Sequence, residues 1–352
     1  MIAFKDGLTI GGDSPIRVNC NIGCNKIEDI QSEISKIEFI QSCNELPDMM
    51  MDLSLIELEE PLYNYIKNNL GLPFGVVLSY HRFTKSKGYQ WEDIRDAFLQ
   101  LCYDGVSFVT IHFTADLDLF SRANQIRKIP VTSRGGGMVL YDSRINNRTQ
   151  NIFRENIDEI ANIALKHNVV ISLGTTFRPG TILDACDSVH IEETLRQLSI
   201  CRLLQSKGVK VMVENIGHIT LDKIATHSKL LSKFNAPIMP LGPLPTDAAI
   251  NEDHIANAIG ATFAAYIGCT HIINCVTRYE HSKSAITQDA IIEAIRAAKV
   301  AAHIADLSRN INKVYLYDAF ITNNRIKEHS CLTDSNNCTR CSTVCPLKLT
   351  SI

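Results

Sequence analysis

The sequence predicts an α/β protein built as a (β/α)8 TIM barrel. Short β-branched and apolar runs alternate with longer stretches of helical period, the βαβα order of a parallel sheet with helices outside. Eight such runs occur, the number that closes a barrel. No glycine-rich dinucleotide turn follows the first run, which argues against the competing open, doubly wound sheet.

The strands are expected at MMMDLS (49–54), PFGVVLSY (73–80), VSFVTIHF (106–113), KIPVTS (128–133), NVVISLG (168–174), VKVMVE (209–214), APIMPLG (236–242) and THIINCVT (270–277). Between them, EDIRDAFLQLCYDG and NIDEIANIALKHN place apolar residues at i, i+3, i+4 and i+7. HIEETLRQLSICRLLQSKG does the same and closes on Gly208, suited to a left-handed helix end. The last barrel helix is expected over 290–310. Residues 1–48 read as an N-terminal segment outside the barrel, with a possible extra strand IRVNCNIG at 16–23. Residues 49–312 read as the catalytic barrel. Residues 313–352 read as a cluster-binding tail, polar and cysteine-rich with no strong period from about 320.

The bulk composition narrows the function. A net charge of −3 offers no basic field for nucleic acid. No run of about 18 apolar residues is present, so no membrane span is expected. The opening MIAFKDGLTIGGD lacks the basic start and apolar stretch of a signal peptide, so a cytoplasmic location is expected. Twelve cysteines in that setting suggest reduced thiols and a metal site rather than disulfides.

In a barrel of this kind, chemistry sits at the C-terminal ends of the strands. The expected ends carry Asp52 and Ser54, Tyr80, His112, Ser133-Arg134-Gly135-Gly136-Gly137, Arg178, Glu214 with His218, Asp247, and Glu280 with His281. Ser-Arg-Gly-Gly-Gly reads either as a flexible turn or as a backbone nest for phosphate, with Arg134 supplying charge. Arg178 suits a phosphate or carboxylate clamp. His218 and His281, near Glu214 and Glu280, could hold a divalent metal at one mouth. The tail reads C-x2-C-x3-C-P over Cys338, Cys341 and Cys345. Three thiolates suit an iron–sulfur cube with one iron left open. A zinc site stays possible, with Cys331 or His329 as fourth ligand.

The ordered pieces VNCNIG, MDLS, TIHF, TSRGG, SLGTTFRPGTILDA, VMVENIGH, LGPLPTD, DHIANAIGA, VTRYEH and AAKVAAHIADL resemble the phosphomethylpyrimidine synthase (ThiC) family. The resemblance runs from about residue 16 to 310 and then to the cysteine tail. It implies a radical S-adenosylmethionine carbon–carbon lyase of thiamin biosynthesis. Such an enzyme rearranges 5-aminoimidazole ribotide to 4-amino-5-hydroxymethyl-2-methylpyrimidine phosphate. The resemblance implies a [4Fe–4S] cluster on Cys338, Cys341 and Cys345, with S-adenosylmethionine on the open iron. It implies a second metal, zinc or iron, on His218 and His281. It matches ribotide contacts to Asn21, Met51, Tyr80, His112, Ser133, Arg134, Gly135, Arg178 and Glu214, with Glu214 and Cys275 as catalytic residues. Reductive cleavage would give a 5′-deoxyadenosyl radical that takes hydrogen from the ribose. The resemblance also implies a homodimer in which the tail reaches the partner's active site. An electron donor is implied with it, a reductase, flavodoxin or ferredoxin.

Several positions depart from the family pattern. A carboxylate expected at the ribotide is Thr175, within Gly174-Thr175-Thr176-Phe177-Arg178-Pro179-Gly180. E-G-P-G-H stands as Glu214-Asn215-Ile216-Gly217-His218, and a tyrosine position is Met239. These changes leave two alternatives beside the family reaction. One is a paralogue making 5-hydroxybenzimidazole or another product from the same or a related ribotide. The other is a non-catalytic binding or regulatory paralogue.

Overall fold

The computed structural model describes residues 1–283, 286–309, 311–327, 331 and 338–349. Eight parallel strands form one sheet: β1 Arg17–Ile22, β2 Met49–Asp52, β3 Phe74–Val77, β4 Phe108–Ile111, β5 Val170–Leu173, β6 Val211–His218, β7 Ile238–Leu244 and β8 Ile272–Asn274. β1 to β7 pair in chain order, and β8 pairs with β1, Asn274 opposite Asn19, which leaves β7 and β8 facing each other without a ladder. The seam between β7 and β8 is joined by the His271 N–H donating to the Ile238 carbonyl at 2.8 Å. Pro240 and Pro243 lie in β7 and have no N–H to offer a ladder, which suits a strand beside a seam.

Helices follow the strands: α1 Ile30–Ser42, α2 Leu62–Tyr65, α3 Trp91–Asp104, α4 Leu117–Ile126, α5 Arg134–Ile145, α6 Ile152–Glu155, α7 Ile157–Lys166, α8 Ser188–Ser206, α9 Leu221–Leu231, α10 Asp253–Tyr266 and α11 Gln288–Ser308. Their apolar faces pack on the outside of the sheet; α3, for example, buries Ile94, Ala97, Phe98 and Leu101. The barrel interior is filled by Met49, Met51, Val77, Phe108, Val170, Met212, Met239 and Ile272. A short hairpin, Ile2–Ala3 with Thr9–Ile10, closes the N-terminal end, where Phe4 stacks on Phe108 with centroids 5.4 Å apart. That plug leaves the C-terminal end of the barrel as the open one.

Two expectations are corrected. The run at 16–23 is not outside the barrel; Arg17–Ile22 is its first strand, between β8 and β2. The run at 128–133 is not a strand. Its donors are used elsewhere: the Lys128 and Ile129 N–H groups bond the Asp184 carboxylate at 3.0 and 2.9 Å. Just before it, buried Arg127 forks onto Asp187 at 2.7 and 2.9 Å.

The chain divides into two compact units, Met1–Ala305 and Asp306–Ile352. The second contains α12 Asn312–Lys327, where the sequence suggests no strong period beyond about 320, and the short α13 Pro346–Leu349. No helix among the described residues is long and apolar enough to cross a membrane.

Candidate active site

A cavity of about 500 Å³ opens at the C-terminal ends of the strands. Asn21, Met51, Tyr80, His112, Ser133, Arg134, Arg178, Glu214, His218, Cys275, Glu280 and His281 all line it. Strand ends and the loops after them therefore bring together residues spread over most of the barrel sequence. Gly135 stands behind this wall. A Cβ there would lie 2.4 Å from His112 Cε1 and 2.6 Å from Ser79 Oγ, so only glycine lets the first turn of α5 lie against the imidazole.

Ser133 caps α5: its Oγ accepts the Gly136 N–H at 3.1 Å and lies 3.0 Å from His112 Nε2. Burial, with help from Arg178, lowers the His112 pKa to about 3, so the ring is neutral. His112 Nδ1 is buried with no partner among the described residues. The N-terminus of α5 brings a partial positive charge to the same wall. Arg134, its first residue, lies over the Tyr80 ring, 5.5 Å from the centroid, and donates to Asn25 Oδ1 at 3.0 Å.

Arg178 donates to the Thr175 carbonyl at 3.2 Å. Burial lowers its pKa, while the negative charge of Glu214 opposes that shift. Burial pushes the Glu214 carboxyl up; the Thr110 hydroxyl, donating at 2.8 Å, and Arg178 pull against it. Just after β8, burial and the neighbouring Cys20 thiol hold Cys275 well above the ordinary thiol range. It is a neutral S–H rather than a thiolate nucleophile. At the mouth between β1 and β8, Asn19 Nδ2 donates to Asn21 Oδ1 at 2.8 Å and to Asn274 Oδ1 at 2.6 Å.

His218 and His281 meet edge to face, with centroids 4.8 Å apart. His218 Nδ1 lies 2.7 Å from Asp247 Oδ1, and His281 Nδ1 lies 3.0 Å from Asp253 Oδ1. A carboxylate on Nδ1 fixes each ring's tautomer and leaves Nε2 as the lone-pair donor, the usual arrangement behind a histidine metal ligand. The pair therefore fits a divalent ion. Asp253 could be suspected only from its place at the head of the DHIANAIGA helix.

Thr175, Asn215 and Met239, the changes expected to shape the substrate pocket, do not line the cavity. All three are fully buried. Thr175 donates to Glu193 Oε2 at 2.7 Å, Asn215 faces α8 and α9, and Met239 belongs to the barrel interior. Glu193, which holds the backbone just before Arg178, was not legible in the sequence, since a lone carboxylate in a helix reads as a solvated one.

In the second unit, Cys338, Cys341 and Cys345 are half-buried and free of disulfides. Cys341 and Cys345 bracket a tight turn, Ser342–Val344, in which Ser342 takes the left-handed φ of 47°. Three unpaired thiols in one short segment fit a cluster with an open iron. Cys331 is exposed, and His329 lies outside the described residues.

The radical SAM ThiC family profile matches residues 4–331, which leaves the three tail cysteines beyond the match. A phosphomethylpyrimidine synthase of Sulfurisphaera tokodaii is 34% identical over 329 residues, 90% of this chain and 75% of that one. Another, of Caldanaerobacter subterraneus subsp. tengcongensis, is 34% identical over 316 residues, 86% of this chain and 72% of that one. Among solved structures, the dihydropteroate synthase of Xanthomonas albilineans matches with a TM-score of 0.47 at 11% identity, covering 85% of this chain and 94% of that one. The profile and the relatives agree over nearly the whole barrel: the chain belongs to the radical SAM ThiC family and is an enzyme of it.

Proposed function

We propose that the enzyme rearranges 5-aminoimidazole ribotide to 4-amino-5-hydroxymethyl-2-methylpyrimidine phosphate, the pyrimidine precursor of thiamin. The observation that carries this reading is that one cavity holds the whole set of groups. It joins an anion-binding wall, a neutral histidine, a buried carboxylate and a histidine pair suited to a metal.

Arg178, Arg134 and the N-terminus of α5 bind the phosphate of the ribotide. Neutral His112, with Ser133 and Asn21, hydrogen-bonds the uncharged heterocycle and sugar. Tyr80 and Met51 supply apolar contact. Glu214, its carboxyl raised by burial, takes or returns a proton on the substrate. The Cys275 S–H gives a hydrogen atom to a substrate radical, its thiyl returned to S–H by one electron from the external donor and a proton from solvent. Leu53, Val77, Ile129, Leu241, Leu244 and Val276 belong to the apolar part of the wall and exclude water. Cys338, Cys341 and Cys345 would hold a [4Fe–4S] cluster, and His218 with His281 a zinc or iron ion. When bound, the cluster supplies the electron that cleaves S-adenosylmethionine reductively and so opens the radical chemistry. The same reading gives a cytoplasmic homodimer whose tail serves the partner's cavity, fed by a flavodoxin, ferredoxin or reductase.

A different product from the ribotide would need a changed substrate wall. The residues that suggested it, Thr175 and Met239, are not part of that wall. Anaerobic incubation of reconstituted enzyme with ribotide, S-adenosylmethionine and reductant should give 5′-deoxyadenosine and the pyrimidine phosphate by mass. Formation of 5′-deoxyadenosine with another product, or of neither, would overturn the proposal.

A further inference from the structure

Alternate residues of β6 face opposite sides of the sheet. Glu214 faces the cavity, while Asn215 faces the helix layer and meets His190 of α8 and His227 of α9. Cys186 lies in the loop just before α8. Nothing in the proposed reaction uses this group.

The hydrogen bonds fix its protons. Gln197 Nε2 donates to the carbonyls of Leu173, Gly174 and Glu214 at 3.2, 3.3 and 2.9 Å, so its Oε1 faces Asn215. Asn215 Nδ2 donates to that oxygen at 2.8 Å and to Thr194 Oγ1 at 3.2 Å. The Thr194 hydroxyl proton is already committed to the His190 carbonyl at 2.8 Å. Asn215 Oδ1 therefore faces the imidazoles, 3.3 Å from His190 Nε2 and 3.0 Å from His227 Nε2. An amide oxygen only accepts, so both rings donate from Nε2 and carry their lone pairs on Nδ1. His190 Nδ1 agrees with this by accepting the Cys186 N–H at 3.3 Å, a contact that a metal on the same lone pair would replace. The rings stack with centroids 4.2 Å apart and planes at 24°.

One ligand atom from each of Cys186, His190 and His227 lies within 4.8 Å of the other two. Cys186 is held at φ 61°, a left-handed conformation uncommon for a residue with a Cβ. We propose that Cys186, His190 and His227 form a second metal site, for a zinc-class divalent ion. Asn215 is the outer partner that orients both imidazoles. A water on the partly exposed Cys186 side completes four-coordination. Binding turns the Cys186 S–H into a metal-bound thiolate and releases its proton to solvent. Burial raises the Cys186 thiol above its ordinary value, and Lys223 Nζ, held by the Ile182 and Ala185 carbonyls at 3.4 and 3.2 Å, opposes that by its charge; it is the ion itself that would draw off the proton. Buried and uncharged, both imidazoles are in the form a metal needs: burial holds His227 down to about 4 and His190 well below its ordinary value. The ion would tie the loop after Arg178 and helix α9 to the strand carrying Glu214 and His218, a structural role independent of which substrate fills the cavity.

The test uses the full chain with Cys331, Cys338, Cys341 and Cys345 changed to Ser and His218 and His281 to Ala. That protein should bind about one equivalent of cobalt(II) with a thiolate-to-cobalt charge-transfer band, displaced by zinc. Adding Cys186→Ser should abolish the band with the circular dichroism unchanged. Asn215→Ala should weaken cobalt binding about 10–100-fold. Absence of a thiolate band in the folded parent protein overturns the proposal without any further variant. So does a band that survives Cys186→Ser.

Discussion

The Thr175 hydroxyl donates to Glu193 Oε2 at 2.7 Å and so points away from the cavity. Glu193 also accepts from the Thr114 hydroxyl at 2.7 Å and from the Thr176 and Phe177 N–H groups at 2.6 and 2.8 Å. Four donors thus compensate one fully buried carboxylate of α8, and they fix the backbone just before Arg178. Thr175 acts on the position of Arg178 rather than on the choice of ligand. Thr175→Val should cost about 1.5–3 kcal/mol, the value of a hydrogen bond to a charged group. It should leave the product unchanged. Thr175→Asp should cost more, by setting a second carboxylate against Glu193. Denaturant melts and product mass check both; a new product at unchanged stability would refute this assignment.

The glycine triplet at the head of α5 separates into positions with and without room. A Cβ at Gly136 would meet Thr176 Cγ2 at 2.5 Å, and at Gly135 it would meet His112, whereas Gly137 has nothing within 4 Å. Gly135→Ala should therefore displace His112 and lower turnover steeply. Gly137→Ala should keep activity and raise stability by about 0.5–1 kcal/mol, the helix-propensity difference. Steady-state kinetics beside thermal melts would separate the two. Equal behaviour of the two variants would show that the α5 turn is not packed on His112.

Most of the cavity wall was legible because its polar residues stand where β-branched runs stop: Tyr80, His112, Glu214 and His281 need no tertiary information to be suspected. Arg17–Ile22 was harder to place. Asn19 and Asn21 break its apolar pattern, and their partner Asn274 arrives from the far end of the chain. Lys128–Ser133 misled in the opposite direction. It has strand composition, but Asp184 takes two of its N–H groups, and no local pattern announces a side chain that replaces a strand. Thr175 and Asn215 show the same limit at the site. Substitution beside a functional residue suggests a changed pocket, yet on a strand or tight loop the next side chain points the other way.

The His218–Asp247 contact gives a prediction on metal affinity. Asp247 holds His218 and is itself fixed by the Thr181 hydroxyl at 2.7 Å and the Ile182 N–H at 3.0 Å. Asp247→Asn keeps the shape and removes the charge behind Nδ1. Zinc or iron affinity at the His218–His281 pair should fall about 10–100-fold. Metal titration with a competing chelator measures this in a chain whose Cys186 and tail cysteines are serine. Unchanged affinity would mean that the pair does not ligate through its Nε2 atoms.

His112 makes a prediction on pH. Its pKa falls from 6.5 in the free side chain to about 3 in the fold. A depressed value means that the folded state prefers the neutral ring, so this contribution is fully present above pH 6.5. As the pH falls from 6.5 toward 3, the unfolded chain binds a proton that the folded chain refuses. Stability is then lost at up to about 1.4 kcal/mol per pH unit from this one group. His112→Gln can still bond Ser133 but cannot titrate. Its unfolding free energy, measured in urea between pH 6.5 and 5, should fall less steeply than the parent's by about one proton. Parallel slopes would mean that His112 already carries a proton in the folded protein. The neutral ring placed against the ribotide would then be wrong.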